Sequence, residues 1–118
     1  MDDASLDSLQ LAARRAFVED GLRSLREALE GLIDPKTESR DLADRCVLLL
    51  HRMKGGAGFV GYRHIAEVAA GLERQIRTNT GEGSASLQAM VQNGFEKLVV
   101  LLRQLEAEDG SAGGGNGV

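Results

Sequence analysis

The sequence is poor in cysteine, proline and aromatic residues. Its 118 residues include one cysteine, one proline, one tyrosine, three phenylalanines and no tryptophan. The single cysteine, Cys46, cannot form a disulfide within the chain. With so few aromatic side chains, the core has to be built from Leu, Val, Ile and Ala, and this composition favours helices over a β-sandwich.

Strong positive charge and long apolar runs are also missing. The chain has 14 basic and 18 acidic residues, a formal net charge of −4, which argues against attraction of the whole molecule to nucleic acid or an anionic membrane. Its longest apolar runs, 46–50 and 98–102, have five residues each, whereas a membrane-spanning helix needs about 20. The start, MDDASLDS, lacks the basic end and apolar run of a secretion signal. We therefore expect a cytoplasmic protein that binds neither nucleic acid nor membrane.

The spacing of apolar residues predicts five helices. Pro35 and the glycines at 55–61 and 81–83 divide the chain into segments of helical length. Within them, apolar residues recur at steps of three and four, the period of an amphipathic helix. The predicted helices are a short one beginning near Ser5, a second over 18–32, a third over 38–60, a fourth over 65–76 and a fifth that follows Ser84 or Ser86 and reaches Leu105.

These helices predict an all-α domain. Four long apolar stripes each need a partner surface, and no strand-like alternation is present. We expect an antiparallel up-down four-helix bundle with a short extra N-terminal helix, acting as a monomer. The bundle is assigned to residues 1–109. Residues 110–118 hold five of the 15 glycines and are assigned to a flexible Gly-rich tail.

The third helix separates an apolar stripe from a face centred on His51. Projected at about 100° per residue, the side expected to be buried consists of Leu42, Cys46, Leu49, Met53, Gly56, Ala57 and Val60. The opposite side, expected to face solvent, consists of Val47, Leu48, His51, Lys54, Gly55, Gly58 and Phe59.

Glycine and charge both set the His51 face apart. Each glycine inside a helix costs about 1 kcal/mol relative to Ala, so Gly55, Gly56 and Gly58 need a reason. Gly56 lies toward the core and could admit another helix, whereas Gly55 and Gly58 flank His51 and would let another molecule approach the ring. The window 45–63 has four basic residues and no acidic one, so the rest of the chain sums to −8. A basic face of this kind suits an acidic partner surface.

A solvent-facing imidazole on such a face can act as a nucleophile. Neutral imidazole attacks without losing a proton near pH 7, because its ordinary pKa is about 6.5. Attack on an acyl phosphate would give a phosphohistidine that carries close to two negative charges. Lys54, one turn along the same face, could neutralise part of that charge, although an exposed ion pair contributes only about 0.2 to 1 kcal/mol. We expect Lys54 to tune such a transfer.

These residues resemble a known family. Residues 51–61, HRMKGGAGFVG, are similar to the H-x-x-K-G-[small]-[small]-x-x-[aliphatic]-G signature of histidine-containing phosphotransfer (HPt) domains. The similarity continues through Ile65 and Ala69 to Glu73, as in bacterial HPt domains of hybrid sensor kinases, and covers about residues 6–107. Two positions depart from the pattern: Phe59 stands where many relatives have a polar residue, and Gly56 where Ser or Ala is common.

The resemblance implies a function. His51 would carry a phosphoryl group between receiver-domain aspartates of a two-component phosphorelay, Lys54 would assist, and Gly55 and Gly58 would allow a response-regulator receiver to dock. Leu48, Arg52 and Phe59 are further candidates for partner contacts. The expected partners are receiver domains and a hybrid sensor kinase. Because Mg²⁺ belongs to the receiver in such transfers, we expect no metal or cofactor in this chain and no ATP-dependent kinase activity of its own.

Other functions were weighed on the same residues. A dimeric sensor-kinase phosphoacceptor helix resembles H-[ED]-x-x, whereas position 52 is Arg. A metal site lacks ligands, since His64 lies thirteen residues beyond His51 and there is one cysteine. Two alternatives stay open. One is a non-phosphorylated helical adaptor that binds a protein through the same basic face. The other is a phosphoacceptor module cut from a chemotaxis-type kinase, which residues 54–57 also resemble.

Overall fold

The computed structural model describes residues 3–32, 39–78 and 84–114, and within these ranges all regular structure is α-helical. The described residues form four helices: α1 (Asp3–Leu32), α2 (Ser39–Val60), α3 (Arg63–Thr78) and α4 (Ser84–Gly114). Helices adjacent in the chain pack against each other, and α4 returns to pack against α1. The predicted all-α four-helix architecture is confirmed.

The N-terminal helix differs from the prediction in one respect. The residues that we assigned to a short extra helix from Ser5 and to a second helix over 18–32 form one continuous helix, α1. No glycine or proline occurs between Asp3 and Asp20, so nothing in the backbone ends the helix between the two predicted segments. The N-terminal turns extend α1 and do not form a separate element.

The C-terminal end of the bundle extends into the segment predicted to be a tail. Helix α4 continues to Gly114, beyond the boundary that we placed at residue 109. Residues 115–118 lie outside the described residues. The division of the chain into a bundle and a flexible tail therefore stays a prediction.

The core of the described residues is mainly aliphatic, as the composition predicts, with Phe95, Cys46 and Met53 as its other members. Its members come from all four helices: Val18, Leu25, Leu42, Ala43, Cys46, Leu50, Met53, Ala57, Ile65, Ala69, Ile76, Leu87, Val91, Phe95, Leu98 and Leu102. Burying such side chains is the main favourable term in folding. Leu50 is fully buried although the helical projection placed it outside the apolar stripe, while Leu49 and Gly56 are only partly buried. The reason is that α2 contacts α1, α3 and α4, so its buried arc is wider than one stripe.

A tight turn joins α2 to α3. Gly61 has a φ of 87°, the left-handed conformation that favours glycine. The Tyr62 amide donates to the Ala57 carbonyl at 2.8 Å and the Gly61 amide to the Gly58 carbonyl at 3.3 Å, which is the pattern of a Schellman cap. Arg14 Nε on α1 donates to the Val60 carbonyl at 3.0 Å. Gly61 directly follows the third predicted helix, which was placed over 38–60, and it ends α2. The turn fixes α3 beside α2.

None of the helices in the described part of the chain is long and apolar enough to cross a membrane.

Candidate functional site

The His51 ring projects from the middle of α2 into solvent. Its side chain is 63% exposed. The helical period accounts for this orientation, because Leu50, Met53 and Ala57 on the same helix face the core. Phe59 is 88% exposed on the same helix, an unusual position for a large apolar side chain.

The glycines around His51 divide into two kinds. A Cβ at Gly56 would lie 3.0 Å from two atoms of the Phe17 ring on α1, so this glycine admits the neighbouring helix. A Cβ at Gly55 or Gly58 would meet no described atom within 4 Å outside its own helix. The space beside His51 is therefore open, as the sequence predicts, and packing within the described chain does not require glycine at 55 or 58.

A carboxylate from α3 faces this histidine. Glu73 Oε1 lies 3.7 Å from His51 Nδ1 and 3.7 Å from Lys54 Nζ. Both distances are longer than a hydrogen bond, and the contact with His51 is an ion pair only when the imidazole is protonated. Glu73 is a buried charged residue, whereas His51 and Lys54 are largely or partly exposed. The site thus combines an exposed imidazole, an ammonium group one turn away, and a buried carboxylate beneath them.

The second oxygen of Glu73 is held by Arg77, one turn later on α3. Arg77 Nε donates to Oε2 at 3.1 Å, and Nη2 lies 3.0 Å from the same oxygen. Oε1 is buried and accepts no hydrogen bond from the part of the protein that the structure describes. Burial raises the pKa of Glu73, but the hydrogen bond from Arg77 and the positive charges of Lys54, Arg77 and protonated His51 hold it below its ordinary value. Glu73 is therefore ionised at neutral pH.

Glu73 and Arg77 lie outside the motif at 51–61, and the window 45–63 around His51 contains no acidic residue. The local sequence around His51 therefore does not predict a role for either residue. A signal was present: Glu73 lies four residues after Ala69 and three before Ile76, both buried, so it occupies an apolar stripe. A charged residue in such a position is buried with partners, as it is here.

The remaining candidate residues divide between the surface and the core. Leu48 and Arg52 are exposed and line a groove of about 690 Å³ between α1 and α2, beside the His51 face. Cys46 is a buried free thiol whose pKa burial raises to about 11, which suits a core residue. His64 lies in the first turn of α3. Across the described ranges, no group of three or more His, Cys, Asp or Glu side chains could hold a metal ion.

Comparison with known proteins identifies the family. The family model of the Hpt domain matches residues 11–109, which include most of α1, all of α2 and α3 and most of α4. This chain belongs to the Hpt domain family. Domains of this family are phosphocarriers that transfer phosphoryl groups through histidine in phosphorelays. No curated protein and no solved structure matches the chain.

Proposed function

We propose that this protein carries a phosphoryl group on His51 and passes it between receiver-domain aspartates. The observation that supports this proposal most is the open imidazole. Its ring is 63% exposed, and at Gly55 and Gly58, one and two turns further along the same face, a Cβ would meet no described neighbour. A receiver active site can approach such a ring without moving any side chain at these two positions. His51 is also the histidine of the motif shared with the family.

The proposed step is an in-line displacement at phosphorus. Nε2 of neutral His51 attacks the phosphorus of a receiver aspartyl phosphate, and the N–P bond forms as the bond from phosphorus to the acyl oxygen breaks. The aspartate carboxylate leaves with that electron pair, and the imidazole keeps its proton on Nδ1. Transfer to a second receiver reverses these changes. The Mg²⁺ that neutralises the phosphoryl oxygens belongs to the receiver in this scheme.

Glu73 selects the reactive nitrogen in this proposal. A carboxylate next to Nδ1 favours the tautomer with the proton on Nδ1, which leaves the lone pair on Nε2. Shortening the 3.7 Å distance between Oε1 and Nδ1 by about 0.5 Å or more would form a hydrogen bond. The phosphorylated ring gains positive charge as Nε2 bonds to phosphorus, so the same carboxylate stabilises the product.

Lys54 and the exposed side chains of α2 complete the proposed site. The Lys54 ammonium, 41% exposed, can turn from Glu73 toward the incoming phosphoryl group. Leu48, Arg52 and Phe59, with the open positions Gly55 and Gly58, form the proposed receiver-docking surface. We further propose that the protein is a monomeric, cytoplasmic carrier of the bacterial type, and that a hybrid sensor kinase supplies the phosphate.

Transfer from a phosphorylated receiver tests this proposal. Incubation with the receiver of the source organism, labelled with ³²P, should give protein carrying acid-labile, base-stable phosphate. His51→Gln should abolish the labelling, whereas His64→Gln, the matched change at the second histidine, should leave it intact. Equal labelling of the His51→Gln variant would show that the assignment is wrong.

A helical adaptor is the second candidate, and the exposure of Phe59 favours it. A large apolar side chain 88% in solvent suits protein binding whether or not His51 is phosphorylated. In this alternative, His51→Ala leaves binding of the partner protein unchanged and phosphate is never found on the chain, whereas Phe59→Ala weakens binding.

A further inference from the structure

The contact between Arg77 and Glu73 is asymmetric. Arginine commonly pairs with a carboxylate through two parallel hydrogen bonds, one to each oxygen. Here Nε and Nη2 of Arg77 both approach Oε2, at 3.1 and 3.0 Å. Oε1 accepts no hydrogen bond from Arg77 and lies 3.7 Å from both His51 Nδ1 and Lys54 Nζ.

The unpaired state of Oε1 needs an explanation. A buried carboxylate oxygen without a hydrogen-bond donor loses its hydration with no compensating bond. Among the described residues, Oε1 of Glu73 is the buried side-chain nitrogen or oxygen that has no hydrogen-bond partner. A freely rotating carboxylate would relieve the loss by turning toward Lys54 or by sharing the guanidinium of Arg77. The two nitrogens of Arg77 that contact Oε2 oppose both of these rotations of the Glu73 carboxylate.

We propose that Arg77 is a positioning residue for phosphoryl transfer, which anchors Glu73 by one oxygen so that the other oxygen stays directed at Nδ1 of His51. This inference rests on the proposed function of His51. Arg77 touches neither His51 nor the phosphoryl group in this proposal and acts through Glu73. The unpaired oxygen then has a role: it accepts a hydrogen bond from Nδ1–H as the ring approaches it during transfer, and the proton stays on Nδ1.

Loss of Arg77 would release Glu73 in two ways. The carboxylate could rotate toward Lys54, which would then be less available to the phosphoryl group. Alternatively it could take up a proton, since burial raises the pKa of Glu73 and the hydrogen bond from Arg77 opposes that rise. Either change removes the acceptor that holds the proton on Nδ1, so the population of the tautomer with a free Nε2 falls.

The test compares Arg77→Ala with Arg74→Ala. Arg74 is also an exposed arginine of α3, so the matched variant removes the same charge and length without touching Glu73. We expect Arg77→Ala to slow transfer from the phosphorylated receiver about tenfold, less than the roughly 100-fold that a 1 Å misplacement of a reacting group can cost. Arg74→Ala should transfer at the wild-type rate. Arg77→Lys, which keeps one donor, should recover part of the loss, and circular dichroism should show that all variants remain folded.

Nitrogen NMR of the unphosphorylated protein supplies a readout that does not depend on transfer. In the wild type, the His51 ¹⁵N shifts should show the proton on Nδ1, and in Arg77→Ala this population should decrease. In a Glu73→Ala background, Arg77→Ala should have no further effect on rate or tautomer, because the residue through which it acts is gone. An undiminished effect of Arg77→Ala in that background would overturn the proposal.

Failure of this inference and failure of the proposed function are distinguishable. If Arg77→Ala matches the wild type in rate and tautomer while His51→Gln abolishes labelling, Arg77 has no positioning role and the phosphocarrier proposal stands. If the wild type is never labelled, the proposed function fails. Arg77 could then still hold Glu73, but it could not be a residue of phosphoryl transfer.

Discussion

Glycines lie on both faces of α2, and their surroundings differ. Gly56 faces α1, where an added Cβ would meet the Phe17 ring at 3.0 Å. At Gly55 and Gly58 an added Cβ would find no described atom within 4 Å beyond the helix itself. Each outward glycine still costs the helix about 1 kcal/mol relative to Ala. The inward glycine is explained by packing, whereas the proposed docking of a receiver beside His51 would explain the outward ones.

Leucines on the two faces of α2 should also differ, and the buried one should give the largest effect on stability. Leu50 is fully buried and Leu48 is half exposed on the same helix. Leu50→Ala should lower the free energy of unfolding by about 2 to 5 kcal/mol, because it removes a buried side chain and leaves a cavity. Leu48→Ala should change it by about 0.5 kcal/mol or less. Urea denaturation of both variants measures the difference, and equal losses would show that the two faces are not distinct.

Replacing an outward glycine of α2 with alanine should change the free energy of unfolding less than Leu50→Ala does, and should raise it. Gly58→Ala should raise the free energy of unfolding by up to about 1 kcal/mol, since Ala favours the helix and meets no neighbour. The same change should slow transfer from a phosphorylated receiver, because the added methyl group projects beside His51. Phosphorylation by phosphoramidate, a small donor, should be less affected. A variant that is more stable and transfers at the wild-type rate would remove the functional reason for this glycine.

Acid should weaken the contact of Glu73 on α3 with His51 and Lys54 on α2. We expect this to be the smallest of the three effects on the free energy of unfolding. Burial raises the pKa of Glu73, but Arg77, Lys54 and His51 lower it further, so it lies below the ordinary value of 4.5 in the folded protein. The ionised carboxylate therefore contributes stability that is complete above pH 4.5 and is lost as the pH falls through the folded-state pKa. The gap in unfolding free energy between wild type and Glu73→Gln should shrink over that range. A gap that widens toward acid would contradict the assigned direction.

Local patterns in the sequence carry much of the fold and the central part of the site. The helical period predicts that His51 faces away from Met53 and Ala57, and the position of Gly61 predicts the end of α2. The orientation of His51 and the end of α2 both depend on residues within a few helical turns of each other. The motif at 51–61 is equally local, so it could be read from the sequence without knowing how the helices pack.

The parts that the sequence did not predict depend on how helices meet. Glu73 lies 22 residues beyond His51, and only the packing of α3 on α2 brings its carboxylate to the imidazole. The burial of Leu50 likewise depends on α2 contacting three helices at once. The two helices predicted before residue 33 form the single helix α1, because no glycine or proline between Asp3 and Asp20 breaks the backbone.

The central claim, that His51 carries phosphate on Nε2, is tested most directly by NMR of the phosphorylated protein. Protein labelled with ¹⁵N in histidine and phosphorylated through a receiver should show a single phosphorus–nitrogen coupling, to Nε2 of His51, with the proton on Nδ1. His64, the other histidine of the chain, should keep the shifts of an unmodified ring. Phosphate on His64, or on Nδ1 of His51, would contradict this account.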